Sequence, residues 1–135
     1  MQQETILCVI DFSDSSRKTL QWAIDRACKS RSHLTVLYPY RLKRLQNGES
    51  AREMRKKIED EARSSFDLLE NDLLTKVQIS YDFKTEVGFL ANRVEEHSKN
   101  HTVCFLVVNR DLRTSQRESF DDLVENIQIP VVILP

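Results

Sequence analysis

The sequence predicts an α/β fold: a single doubly wound, five-stranded parallel sheet in the order 3-2-1-4-5, with helices on both faces. Three observations predict it. Strand-like and amphipathic helical segments alternate along the chain, the pattern of a parallel sheet joined by right-handed crossovers. Two segments, 5–10 and 103–108, are continuous apolar runs rich in β-branched residues, as strands covered on both faces are. A third, 77–84, alternates apolar with polar residues, as a strand near a sheet edge does. The continuous runs therefore take the centre and the alternating one an edge. Together they fix the strand order.

The elements follow in sequence. The strand over 5–10 ends in Asp11 at a turn, and Ser13 or Asp14 caps a helix whose stripe is Leu20, Ala23, Ile24, Ala27 and Cys28. A second strand covers 34–38. A long helix from about 49 to 74 carries Met54, Ile58, Phe66, Leu69 and Leu73 on one side and charge on the other. The edge strand 77–84 leads to a helix marked by Val87, Leu90, Val94 and His97, with Thr85 expected as its cap. After 103–108 comes a short helix from about 117 to 126, then a final strand over 130–134. No linker, repeat or low-complexity stretch divides the chain, so 1–135 is one domain, long enough for a core without disulfides or metals.

Composition narrows the function. The chain has 20 basic and 21 acidic residues, so no general nucleic-acid or membrane surface is expected. Cys8, Cys28 and Cys104 form no CxxC or Cys/His cluster and read as small buried hydrophobes in a reducing compartment. Met1 leads directly into polar residues and a strand, with no signal-peptide pattern and no membrane-length apolar run, so a cytoplasmic location is expected. His97 and His101, four apart, read as a surface pair; no third ligand is placed beside them and no metal is expected. No serine or threonine near the strand ends has a histidine at motif spacing, so no catalytic residue is assigned and the chain is not read as an enzyme. Trp22 falls off the apolar stripe of its helix, either partly exposed or under the 39–48 connection.

In a 3-2-1-4-5 sheet the direction of winding reverses between strands one and four, and a crevice opens at their carboxyl ends. Asp11, Phe12 and Ser13 line one side of it; Asn109, Arg110 and Asp111 line the other. Such a crevice ordinarily grips phosphates on glycine-rich backbone. Here the glycines are Gly48 and Gly88 alone, and neither lies there. Arg110, Arg113 and Arg117 with a helix N-terminus could hold an anion instead, although Asp111, Glu118, Asp121 and Asp122 nearly match them in charge.

Ile10-Asp11-Phe12-Ser13 with Ser16, Gln21-Trp22-Ala23, Leu34 to Tyr38, Glu86-Val87-Gly88, Phe105 to Val108 and Ile129 to Leu134 together resemble the universal stress protein family, over essentially the whole chain. The resemblance implies a Rossmann-like fold of the adenine nucleotide alpha hydrolase type, a role in stress survival, and Asp11 beside the adenine and ribose of any nucleotide. Nucleotide-binding members follow the fourth strand with Gly-x2-Gly, nine residues, then Gly-Ser or Gly-Thr. The stretch from Asn109 to Glu118 has no glycine and is several residues short: Asn109 and Leu112 stand at the first two glycines, Arg117-Glu118 near the last pair. This chain thus resembles the branch that does not bind ATP by the usual loop, acting through binding and assembly, with no cofactor. The alternative is a nucleotide-binding member using Asp11, Ser13, Asn109, Arg110 and Arg117, with slow hydrolysis. The resemblance also implies a homodimer through the terminal strand, Val131, Val132, Ile133 and Leu134, an apolar edge with little charged protection.

Overall fold

A computed structural model describes residues 3–42, 45, 48–100, 102–112 and 120–135. Its order is β1 (Thr5–Val9), α1 (Asp14–Ser30), β2 (His33–Tyr40), α2 (Ala51–Leu73), β3 (Tyr81–Val87), α3 (Leu90–Asn100), β4 (Val103–Asn109), α4 (Phe120–Asn126) and β5 (Val131–Leu134). The sheet is parallel throughout and runs β3-β2-β1-β4-β5, as expected from the two apolar runs and the one alternating run.

Side-chain parity divides the core into two. Ile6, Cys8, Ile10, Leu34, Val36 and Val107 pack with Leu20, Ala23, Ile24 and Ala27 of α1 and Phe66 of α2. Leu7, Val9, Leu37, Leu106 and Val108 point to the opposite face, against Leu90 and Val94 of α3. Successive strand residues face opposite ways, so a strand with both faces covered must be apolar at every position. β1 satisfies this from Ile6 to Val9, each essentially without exposure.

Five boundaries, roles and burials depart from expectation. β3 begins at Tyr81 rather than at 77 and runs on to Val87. Its pairing is set by β2: Leu34 N donates to Ser80 O, and the ladder runs from Leu34–Tyr81 to Tyr40–Val87. Val77 and Ile79 still pack on the core, but ahead of the ladder. Thr85 is consequently a strand residue and not a cap. Gly88, at φ 139, makes the turn into α3. β2 itself runs through Pro39. Odd residues of β2 direct their backbone toward β1, as Leu37 O does in accepting from Ile10 N. The next bond of that ladder would run from residue 39 N to Ile10 O; Pro39 has no N–H to give, and the β1–β2 register ends at Val9–Leu37.

His97 is not a surface residue. It is 7 % exposed, and its Nε2 lies 2.7 Å from Glu86 Oε1. Its place three residues beyond Val94 keeps it on the inward face of α3, where the Glu86 carboxylate satisfies it. His101 lies outside the described residues. Cys28 is exposed, contrary to expectation. It sits at the rim of the arc occupied by Ser16, Thr19, Leu20, Ala23, Ile24 and Ala27, about 40° past Ile24 and away from the sheet. Trp22 is 37 % exposed, as one of its two expected placements had it, and meets Phe105 of β4 edge-on at 6.3 Å.

These burials predict a thiol pattern. Burial pushes the Cys8 thiol up to about 12, and burial with the nearby Glu4 carboxylate raises that of Cys104. Since the thiolate is the reactive species, a disulfide reagent at neutral pH should label Cys28 promptly in the folded protein. Cys104 should follow slowly, and Cys8 only on unfolding. Prompt labelling of Cys8, read by mass spectrometry of peptides, would contradict this packing.

Candidate functional site

The turn after β1 is built around one carboxylate. Asp11 Oδ1 accepts from Ser13 N at 3.1 Å, Ser13 Oγ at 2.5 Å and Ser16 Oγ at 2.6 Å. The Ser16 hydroxyl in turn accepts from Asp11 N at 3.0 Å. Ser13 is the N-cap of α1, its Oγ accepting from Ser16 N at 3.2 Å. The sequence pattern Asp-x-Ser-x-x-Ser thus closes a knot that satisfies the Ser16 amide of the helix's first turn and sets a negative charge against its N-terminus.

Between Asp11 and Ser13, Phe12 is forced to φ 64, a left-handed conformation that is uncommon for a bulky residue. It turns the ring away from α1 and over β2 and β3, 5.1 Å from Tyr38 and 6.1 Å from Phe83.

On the other side of the expected crevice, Asn109 is 2 % exposed. Its Nδ2 donates to Ser15 O at 3.4 Å and Pro135 O at 3.3 Å, and its Oδ1 accepts from Asp111 N at 2.8 Å. Ser15 Oγ reaches Asp111 Oδ2 at 3.4 Å. The first turn of α1 is therefore laced to the end of β4, across the gap where a phosphate-binding strand end would stay open. Arg110 is exposed; its N donates to Leu134 O at 2.9 Å, and it lines a recess with Asp121, Val124, Glu125 and Ile133. Arg113 and Arg117 lie outside the described residues. The structure thus joins Ser15, Asn109 and Asp111, gathers Asp11 with Ser13 in the knot, and sets Arg110 against α4 and β5.

The chain matches the model of the universal stress protein family over residues 3–135. It belongs to that family. No curated protein sequence matches it. Among solved structures, it resembles universal stress protein UspA from Lactobacillus plantarum at a TM-score of 0.75 and 16 % identity, covering 100 % of this chain and 99 % of that one. The universal stress protein from Archaeoglobus fulgidus in complex with dAMP gives a TM-score of 0.66 at 12 % identity over 99 % and 98 %. A family protein from Arabidopsis thaliana with AMP bound gives 0.65 at 14 % over 97 % and 90 %. At these identities the likeness shows the shared fold.

Within this universal stress protein fold, a cavity of about 610 Å³ opens beside the expected crevice rather than in it. Phe12, Tyr38 and Tyr40 form its floor, Met54, Ile58, Ala62 and Ser65 of α2 its wall, and Arg41, Glu49, Glu53, Lys57 and Glu61 its charged lining. The cause is a mismatch of lengths. The 23 residues of α2 span about 35 Å, whereas the 8 of β2 reach about 26 Å. The helix overhangs the sheet, and Met54 and Ile58 stay half-buried over the space.

The floor is pinned. The Tyr40 hydroxyl donates to Glu59 Oε2, which Arg55 Nε also meets at 2.9 Å. Burial and then the Glu59 contact push the Tyr40 phenol up to about 12, and the same hydrogen bond holds the Glu59 carboxyl below its ordinary range. Burial, then Asp11, then Glu61 raise the Tyr38 phenol. Sequence reasoning found Phe12 but missed Tyr38, Tyr40 and Glu61. The aromatic residues flanking Pro39, ahead of a helix too long for its strand, were the available signal. Among the described residues no helix is long and apolar enough to cross a membrane, and no cluster of three His, Cys, Asp or Glu could hold a metal ion.

Proposed function

We propose that this universal stress protein acts by binding and assembly, without catalysis, and does not grip ATP in the manner of the family's glycine loop. The observation that carries the reading is the Asn109 side chain, which fills the end of β4 and ties it to Ser15 and Pro135. A glycine there would leave backbone amides open to phosphate; Asn109 instead occupies that space, and Leu112, 9 % exposed, packs on the α3 face of the core. The glycine-free stretch from Asn109 to Glu118 points the same way.

The competing reading is nucleotide binding through Asp11, Ser13, Asn109, Arg110 and Arg117, favoured by the AMP and dAMP in the Arabidopsis and Archaeoglobus proteins. Calorimetric titration of ATP with magnesium, and of AMP, decides between them, once mass spectrometry has shown that no nucleotide co-purifies. No heat at millimolar nucleotide is expected. Micromolar affinity that disappears in Asp11→Ala and in an Arg110→Ala, Arg117→Ala double variant would replace the first reading with the second.

Assembly is proposed through β5, the outer strand beside β4, where Val131, Val132 and Leu134 are partly buried and Ile133 is exposed. An apolar edge strand offers a second copy an unpaired row of backbone groups. Light scattering at micromolar concentration should give a dimer, and Ile133→Lys should shift it toward monomer. A monomeric wild type, or a dimer indifferent to the charge, would sink this assignment.

A further inference from the structure

The cavity beneath α2 is chemically one-sided. Its floor is a run of rings: Phe12 and Tyr38 lie 5.1 Å apart, and Tyr38 and Tyr40 stack at 6.2 Å. Carboxylates outnumber cations on the lining, with Glu49, Glu53 and Glu61 against Arg41 and Lys57. Arg41 is already engaged, its guanidinium 3.8 Å over the Phe89 ring. Glu61 lines the cavity with Tyr38, whose phenol is raised by burial, then by Asp11 and Glu61.

Ring faces carry negative potential, and beside carboxylates they attract a cation and disfavour phosphate. A bare metal ion does not fit this pattern, because the described carboxylates nowhere gather into a chelating group of three. The volume of about 610 Å³ lies in the range of small-molecule sites and leaves room for an organic body. We propose that the cavity binds an organic cation, an ammonium or quaternary ammonium group on an apolar body, held between the Phe12, Tyr38 and Tyr40 rings and the Glu61 carboxylate. The assignment rests on the binding role proposed above and names its ligand class. Phe12 owes its place in the site to the left-handed turn that the Asp11–Ser16 knot imposes.

The test is calorimetric titration of phenyltrimethylammonium into the full chain, beside its neutral isostere tert-butylbenzene. Saturable binding of the cation is expected, with the isostere weaker by about tenfold and Glu61→Gln weaker by a similar factor. Tyr38→Leu should weaken it comparably, and Lys57→Gln should strengthen it by removing a like charge. Glu61 is exposed, so its variant keeps the fold, which circular dichroism checks. Equal binding of both probes, or cation binding unchanged by Glu61→Gln and Tyr38→Leu, would overturn the proposal. So would displacement of the cation by AMP, which would make the cavity a nucleotide site. A silent cation with silent ATP overturns the ligand class alone. A silent cation with tight, Asp11-dependent ATP overturns both readings.

Discussion

Phe66→Ala should destabilise the protein by about 3–5 kcal/mol, a large part of the ~5–15 kcal/mol that holds a typical domain folded. Phe66 is 1 % exposed and stacks on Phe83 with ring centroids 4.2 Å apart and planes 3° from parallel. It carries unusual weight because α2 is long and mostly wet: of its residues only Ala62 and Phe66 are fully buried. Removing the ring leaves a cavity where the helix meets β3. Thermal unfolding followed by circular dichroism should show a midpoint lower by about 10–20 °C. Leu68→Ala, on the same helix but 69 % exposed, should move it by little, within about 0.5 kcal/mol. Equal effects from the two would mean that α2 does not dock through Phe66.

Asn109→Asp should cost about 2–4 kcal/mol despite its nearly unchanged shape. The substitution deletes the donor that serves Ser15 O and Pro135 O, and sets a carboxylate oxygen against both carbonyls. The bond from Asp111 N survives, so the loss isolates the donor side of the residue. Asp111→Asn is the matched control: its contact with Ser15 Oγ is exposed and 3.4 Å long, an amide oxygen can still accept it, and the change should fall within about 0.5 kcal/mol. Chemical denaturation of the two variants makes the comparison. A neutral Asn109→Asp would show that the lacing of α1 to β4 contributes nothing, and would remove the main support for a closed crevice.

Both predictions concern residues that the sequence names but does not explain. Strand order was legible because it follows from burial alone: Ile6 to Val9 and Leu106 to Val108 can only be apolar at every position if both faces are covered. The cap at Ser13 was legible because its partners lie within three residues. The errors lie where a partner is distant in sequence. Tyr81 opens β3 because β2, more than 40 residues earlier, begins its ladder at Leu34. His97 is buried because Glu86, on another element, meets it. The pattern of α2 marked an apolar stripe from Met54 to Leu73, yet could not show that its first half overhangs empty space, since that depends on where β2 and β3 stop. The crevice was expected at the ends of β1 and β4, but that Asn109 ties this place to Ser15 is a contact between residues 94 apart, which no local pattern displays.

The register of the central strand has a consequence for how the chain folds. On one side Thr5 pairs with His33; on the other it pairs with Val103. The first pairing closes a short loop and the second one several times longer, whose entropic cost is higher and whose formation is slower. During synthesis, β1, β2 and β3 with α1 and α2 can assemble while the fourth strand has yet to emerge from the ribosome. Until it does, β1 presents an open hydrophobic flank with a full row of unsatisfied backbone groups. The middle of the finished sheet is therefore, for a time, its edge, and the nascent chain is most exposed to mispairing at the strand that later becomes its best protected.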